Sequence, residues 1–119
     1  MRRAARVALS TTLAAIVVAA LSACGGLQTE HRTINAAQVS GGAGFTPPTI
    51  TVDKRNRVEL KVGNTSDKTH GFSIEGYGVQ EEVEVGKTID VKFIANNAGI
   101  YKVYCQLHPA HQTATLIVR

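Results

Sequence analysis

From about Thr33 to its end the chain repeats one pattern: short runs in which apolar and polar residues alternate with a period of two. Ile50 and Val52 alternate with Thr49, Thr51 and Asp53, and Val58, Leu60 and Val62 with Arg57, Glu59 and Lys61. Phe72 and Ile74 alternate with Ser73 and Glu75, and Ile89, Val91 and Phe93 with Thr88, Asp90 and Lys92. Tyr101, Val103 and Cys105 share a face, and Leu116 and Val118 close the chain. Successive side chains of an extended strand point to opposite faces, so each run reads as a strand with one buried face. Turn-forming clusters separate the runs: Gly41-Gly42, Asn64 to Lys68, Gly76 to Gly78, Gly86-Lys87 and Asn96 to Gly99. No segment holds a helical period over a useful length. The pattern predicts an all-β sandwich or barrel of about seven to eight short strands. Pro47 and Pro48 lie early in their strand, which places it at a sheet edge or at a switch between sheets, because proline cannot donate to a ladder. With 119 residues there is room for one small domain, and none for a TIM barrel or a full doubly wound dinucleotide enzyme.

The first residues follow other rules. Arg2, Arg3 and Arg6 precede an apolar run from Val7 to Leu21, which is short for a bilayer span of roughly 20 apolar residues. The run ends at Leu21-Ser22-Ala23-Cys24, followed by Gly25-Gly26. This resembles the bacterial lipobox, which implies a diacylglyceryl group on the Cys24 thiol and cleavage before it. The alternatives are an uncleaved anchor helix and an ordinary signal cut near Ala23; each puts the domain outside the cytoplasmic membrane. The expected organisation is a signal peptide over 1–23, a lipidated Cys24 with a flexible tether to residue 32, and a domain over 33–119. His31, between Glu30 and Arg32, reads as a solvated tether histidine. Lys and Arg number 13 against 9 Asp and Glu, but without Arg2, Arg3 and Arg6 the remainder is within one charge of neutrality. A basic stripe of the kind nucleic acid requires is absent, and no nucleic-acid partner is expected.

Lipidation of Cys24 leaves Cys105 as the one free thiol in an oxidising compartment, unless the two form a disulfide. Cys105 opens the stretch Cys105-Gln106-Leu107-His108-Pro109-Ala110-His111-Gln112, directly after a strand. A strand end delivers the thiol from a rigid position, and the following loop returns His108 toward it, stiffened by Pro109. His70, after the Asn64–Lys68 turn, offers a third donor. A thiolate with two imidazoles suits copper in a trigonal site with a weak axial ligand, and zinc accepts the same donors. Cys105 and His108 are too close along the chain for a cysteine-protease pair, and there is no second lobe to hold a substrate. Glu81, Glu82 and Glu84 read as a solvated acidic face, and Lys54-Arg55-Asn56-Arg57 as a basic surface turn that can lie near lipid headgroups.

These residues resemble the small cupredoxins, the blue-copper electron carriers, over nearly the whole domain. Phe45-Thr46-Pro47-Pro48-Thr49-Ile50-Thr51-Val52 is similar to the family's entry strand. Asn64 with His70 is similar to the turn carrying its first histidine ligand, and Gly99-Ile100-Tyr101 with Tyr104-Cys105 to its cysteine strand. Cys105-x2-His108-Pro109 resembles the short loop of amicyanin-like members. The resemblance implies a Greek-key β-sandwich holding one copper ion on His70 Nδ1, Cys105 and His108. His70 to Gly76 also resembles cytochrome oxidase subunit II, whose binuclear centre needs a second loop cysteine that this chain lacks. The family's axial methionine is missing as well, since Met1 is the only Met. His111 stands at its place; counting back from Leu116 gives Gln112 instead, and either can serve.

The resemblance implies one-electron transfer by a monomeric, membrane-anchored protein with a redox partner protein. A first shell rich in histidine also fits copper storage, delivery or resistance, with a copper-handling partner. An open position on the metal would fit small-molecule binding or redox catalysis, as in the red, nitrosocyanin-like members, which differ in carrying a carboxylate ligand.

Overall fold

The computed structural model describes residues 28–119. The signal peptide, Cys24 and the first tether residues lie outside the described residues. Nine strands are present among them: β1 Thr29–Val39, β2 Gly42–Thr46, β3 Thr49–Val52, β4 Arg57–Asn64, β5 His70–Ile74, β6 Val79–Val83, β7 Thr88–Ile94, β8 Gly99–Tyr104 and β9 Ala114–Val118. They form two sheets, one ordered β2-β1-β4-β7 and the other β3-β9-β8-β5-β6. The β1–β4 and β3–β9 pairs are parallel and the remaining pairs antiparallel. This is the expected all-β sandwich.

The alternating residues do what their period requires. Val58, Leu60 and Val62 of β4 and Val103 of β8 are fully buried, with Ile34, Val52, Phe72 and Leu116. Arg57 and Lys61 on the opposite face of β4 are exposed. Burying such side chains contributes about 1.5–3 kcal/mol each. The Pro47-Pro48 break falls between β2 and β3, which belong to different sheets, so it is a strand switch.

Two expectations change. β1 begins at Thr29, so Thr29–Arg32 are strand residues and not tether: Thr29 to Ala36 pair in register with Arg57 to Asn64. His31 is accordingly a strand residue, still exposed, with Nδ1 3.3 Å from Glu59 Oε2. The strand count also exceeds the expected range. The additional strands carry little alternation because β1 buries only Ile34 and Ala36 fully, and β6, at a sheet edge, only Val83. The acids Glu81 and Glu82 are exposed on that edge, where charge discourages pairing with another chain.

The two sheets define two poles. At one lie the end of β4, the start of β5, the end of β8 and the β1–β2 hairpin; at the other lie Gln28, the β3–β4 turn and the end of β9.

Candidate metal centre

Asn64 builds the turn that leads to His70. It is 2% exposed, and its Nδ2 donates to the carbonyls of Lys68 at 2.7 Å and Val83 at 2.8 Å. Its Oδ1 accepts from Ser66 N and Ser66 Oγ. A buried amide with all its capacity used holds the Ser66–Lys68 turn against β6, and β5 therefore starts at a set position. His70 is its first residue.

Cys105 follows the last residue of β8 and carries a free, buried thiol. Its Sγ lies 3.4 Å from His108 Nδ1 and 3.9 Å from His70 Nδ1. These three donor atoms all lie within 4.8 Å of one another. An ion about 2.0 Å from nitrogen and 2.3 Å from sulfur, at trigonal to tetrahedral angles, separates N from S by about 3.5–3.7 Å. The observed separations bracket that range, so the donors are already spaced to hold one ion between them. The Gly71 N–H donates to Sγ at 3.2 Å and ties the thiol to the start of β5.

His111 stands beside this group. It is 5% exposed, its ring centroid 4.7 Å from that of His70 and 4.4 Å from that of Phe45. Its Nδ1 lies 2.9 Å from the Gln112 carbonyl, which can only accept, so the proton sits on Nδ1 and Nε2 holds a lone pair. That Nε2 is buried and has no hydrogen-bond partner among the described residues. Gln112 is placed elsewhere. Its side chain is exposed, and its Nε2 donates to Ser40 O in the β1–β2 hairpin at 2.9 Å.

Burial, then repulsion from His111 and His108, lowers the pKa of His70 below its ordinary 6.5. Burial is also the main cause of the lowered pKa of His111. Both rings are therefore neutral near pH 7, the form that binds metal.

Two residues of the site carried no signal in the sequence reading. Gln106 lies across β5: its Oε1 accepts from Ser73 Oγ at 2.7 Å and its Nε2 donates to Glu81 O at 2.8 Å. It fits only because Gly71 has no side chain. The one clue was position, since Gln106 follows Cys105 and Gly71 follows His70.

Fold and site together define a small β-sandwich that gathers one thiol and several imidazoles at one pole, a donor set suited to copper. A family model for the cupredoxin-like domain matches residues 12–118, and the chain belongs to that family. Solved structures share the fold. The copper nitrite reductase from Nitrosomonas europaea superposes with a TM-score of 0.65 at 19% identity, over 76% of this chain and 41% of that one. The multicopper oxidase mgLAC does so with a TM-score of 0.63 at 20% identity, over 76% and 38%. This chain thus spans about two fifths of the length of either protein.

Proposed function

We propose that this protein holds a single copper ion and carries electrons one at a time, tethered by lipid on Cys24 to the outer side of the cytoplasmic membrane. The observation that carries the reading is the gathering of His70, Cys105 and His108 within 4.8 Å, with a fourth imidazole beside them whose buried Nε2 has no partner among the described residues. Bound copper supplies a one-electron couple. The chain supplies its setting. Cys105 and His70 sit at strand ends and are nearly inaccessible to water. Donors held this way keep one arrangement in both oxidation states, which keeps reorganisation small. His111 Nε2, buried and without a partner among the described residues, would be the fourth donor to the ion, in place of the missing methionine.

His108 is less buried than the other donors, and Leu107, Pro109 and Ala110 around it are exposed. No charged residue occurs from Tyr104 to Gln112. An uncharged loop around one reachable ligand suits brief docking of a redox partner protein onto a monomer, the regime of small, weak redox interfaces.

Cu(II) added to the purified protein and followed by visible and EPR spectroscopy tests this. The expected result is an intense sulfur-to-copper band that disappears in Cys105→Ser, with reversible one-electron reduction. A protein that takes only Cu(I) would instead be a storage or delivery protein. Spectral changes on adding nitric oxide or peroxide would show an open position and favour small-molecule chemistry. Binding of zinc with no copper uptake would overturn the reading.

A further inference from the structure

We infer that the pole opposite the metal donors is a docking surface for anionic phospholipid headgroups, and that it turns the donors away from the membrane. The inference rests on the lipid anchor proposed at Cys24. Four residue steps separate Cys24 from Gln28, a reach of about 14 Å at most. The Gln28 carbonyl accepts from Arg57 N at 2.8 Å, so the chain enters the domain beside the basic β3–β4 turn. An anchor on so short a lead brings that turn to the headgroups. The donors sit at the far ends of the strands, about 23 Å away along β4.

The turn is built to present charge. Lys54, Arg55 and Arg57 are exposed, whereas Asn56 between them is buried and donates to Glu30 Oε2. Lys54 N donates to Arg119 O and Arg55 N to Ala95 O, which pins the backbone. Arg55 adopts φ +73°, a left-handed conformation that favours glycine, so an arginine there is held at a cost in backbone strain. Nearby acids are already engaged: Glu30 with Arg32 and Asp53 with Arg119. The ion pairs among the described residues use none of Lys54, Arg55 and Arg57. Glu75, after β5 in the other sheet, lies beside the middle of β8, where its N–H donates to Lys102 O. Cross-strand from Arg57, Ile94 is 48% exposed, an apolar side chain able to enter the headgroup region among the cations.

Opposed charge and a short lead thus act on the same face. Each cation near an anionic surface contributes about fivefold to partitioning, and three on the order of a hundredfold. With the domain so seated, the donors meet a partner that reaches them from the aqueous side, and a carrier dissolved in the bilayer does not contact them.

The exported full chain is purified, and its intact mass reads whether Cys24 is lipidated. It is then mixed with phosphatidylcholine vesicles, with or without phosphatidylglycerol, and amide exchange is followed. The lipidated chain is expected to show slowing of about tenfold or more at residues 54–57 on the anionic vesicles only, and none at 106–112. The Lys54→Gln, Arg55→Gly, Arg57→Gln variant should lose the slowing; glycine suits the left-handed position, so the charge is removed without disturbing the turn. Equal exchange on both vesicles, or slowing at 106–112, would overturn the inference. A mass without lipid would refute the anchor alone. Cosedimentation of that unlipidated chain then decides the surface, through a preference for phosphatidylglycerol that is either lost in the variant or absent from the start.

Discussion

Replacing Gly71 by alanine should destabilise the protein, and removing Gln106 first should reverse the sign of that effect. A Cβ on Gly71 would come under 3.0 Å from three atoms of the Gln106 side chain. That side chain is flexible and would swing away. It would give up its bonds to Ser73 Oγ and Glu81 O, each worth about 1 kcal/mol net, so about 2 kcal/mol is at stake. Gly71 lies in β5 and does not have a positive φ, so alanine restricts the unfolded chain and returns about 0.4–1 kcal/mol. Gly71→Ala alone should therefore cost about 1–1.5 kcal/mol. In a Gln106→Ala background the overlap is gone, and the same change should stabilise by about 0.5 kcal/mol. Urea denaturation of the four metal-free, reduced proteins closes the cycle, with an expected coupling near 2 kcal/mol. The reasoning fails if Gly71→Ala costs the same with and without Gln106. The copper-loaded proteins give a second readout, because Gly71 N–H is the group bonded to Cys105 Sγ, and a displaced β5 should move the sulfur-to-copper band.

Asn64→Ala should cost about 2–4 kcal/mol, since it strips partners from Ser66, Lys68 and Val83, and should weaken copper binding in a chelator competition. A loss under about 0.5 kcal/mol would show that the turn stands without it. His111→Met should raise the reduction potential and move the band toward blue, because a thioether donates less strongly than imidazole. An unchanged spectrum and potential would remove His111 from the ligands. Because the pKa values of His70 and His111 are lowered in the folded chain, the unfolded chain takes up these protons at higher pH than the native state. Metal-free protein should thus hold its stability above the unfolded value of about 6.5, lose it as pH falls through the folded values, and level off below them. Urea midpoints that rise on acidification through that window would contradict this.

Much of the fold was legible in local pattern. The strands that alternate cleanly, such as β4 and β7, are those that cover the core with one face, and the Gly- and Asn-rich clusters mark the turns between them. β1 and β6 escaped because they bury few apolar residues. β5 is buried along its full length, so its alternation does not reflect exposure: Gly71 and Ser73 on its other face lie under Gln106. The donors His70, Cys105 and His108 were readable because their spacing follows from a strand end and one stiff loop.

Which of His111 and Gln112 turns toward the interior was not readable. Both sit in the same loop at adjacent positions, and nothing local says which faces inward. The β1–β2 hairpin decides it: Ala43 O accepts from Gln112 N and Ser40 O from Gln112 Nε2, so Gln112 faces the hairpin and His111 turns inward against Phe45 and His70. Residue order was enough for the strand period, the turns and the kinds of donor, because these depend on neighbours in the chain. The inward-facing residue of the loop, and the placement of the donors at the pole opposite Gln28, came only with the packed sandwich, because they depend on strands far apart in the chain.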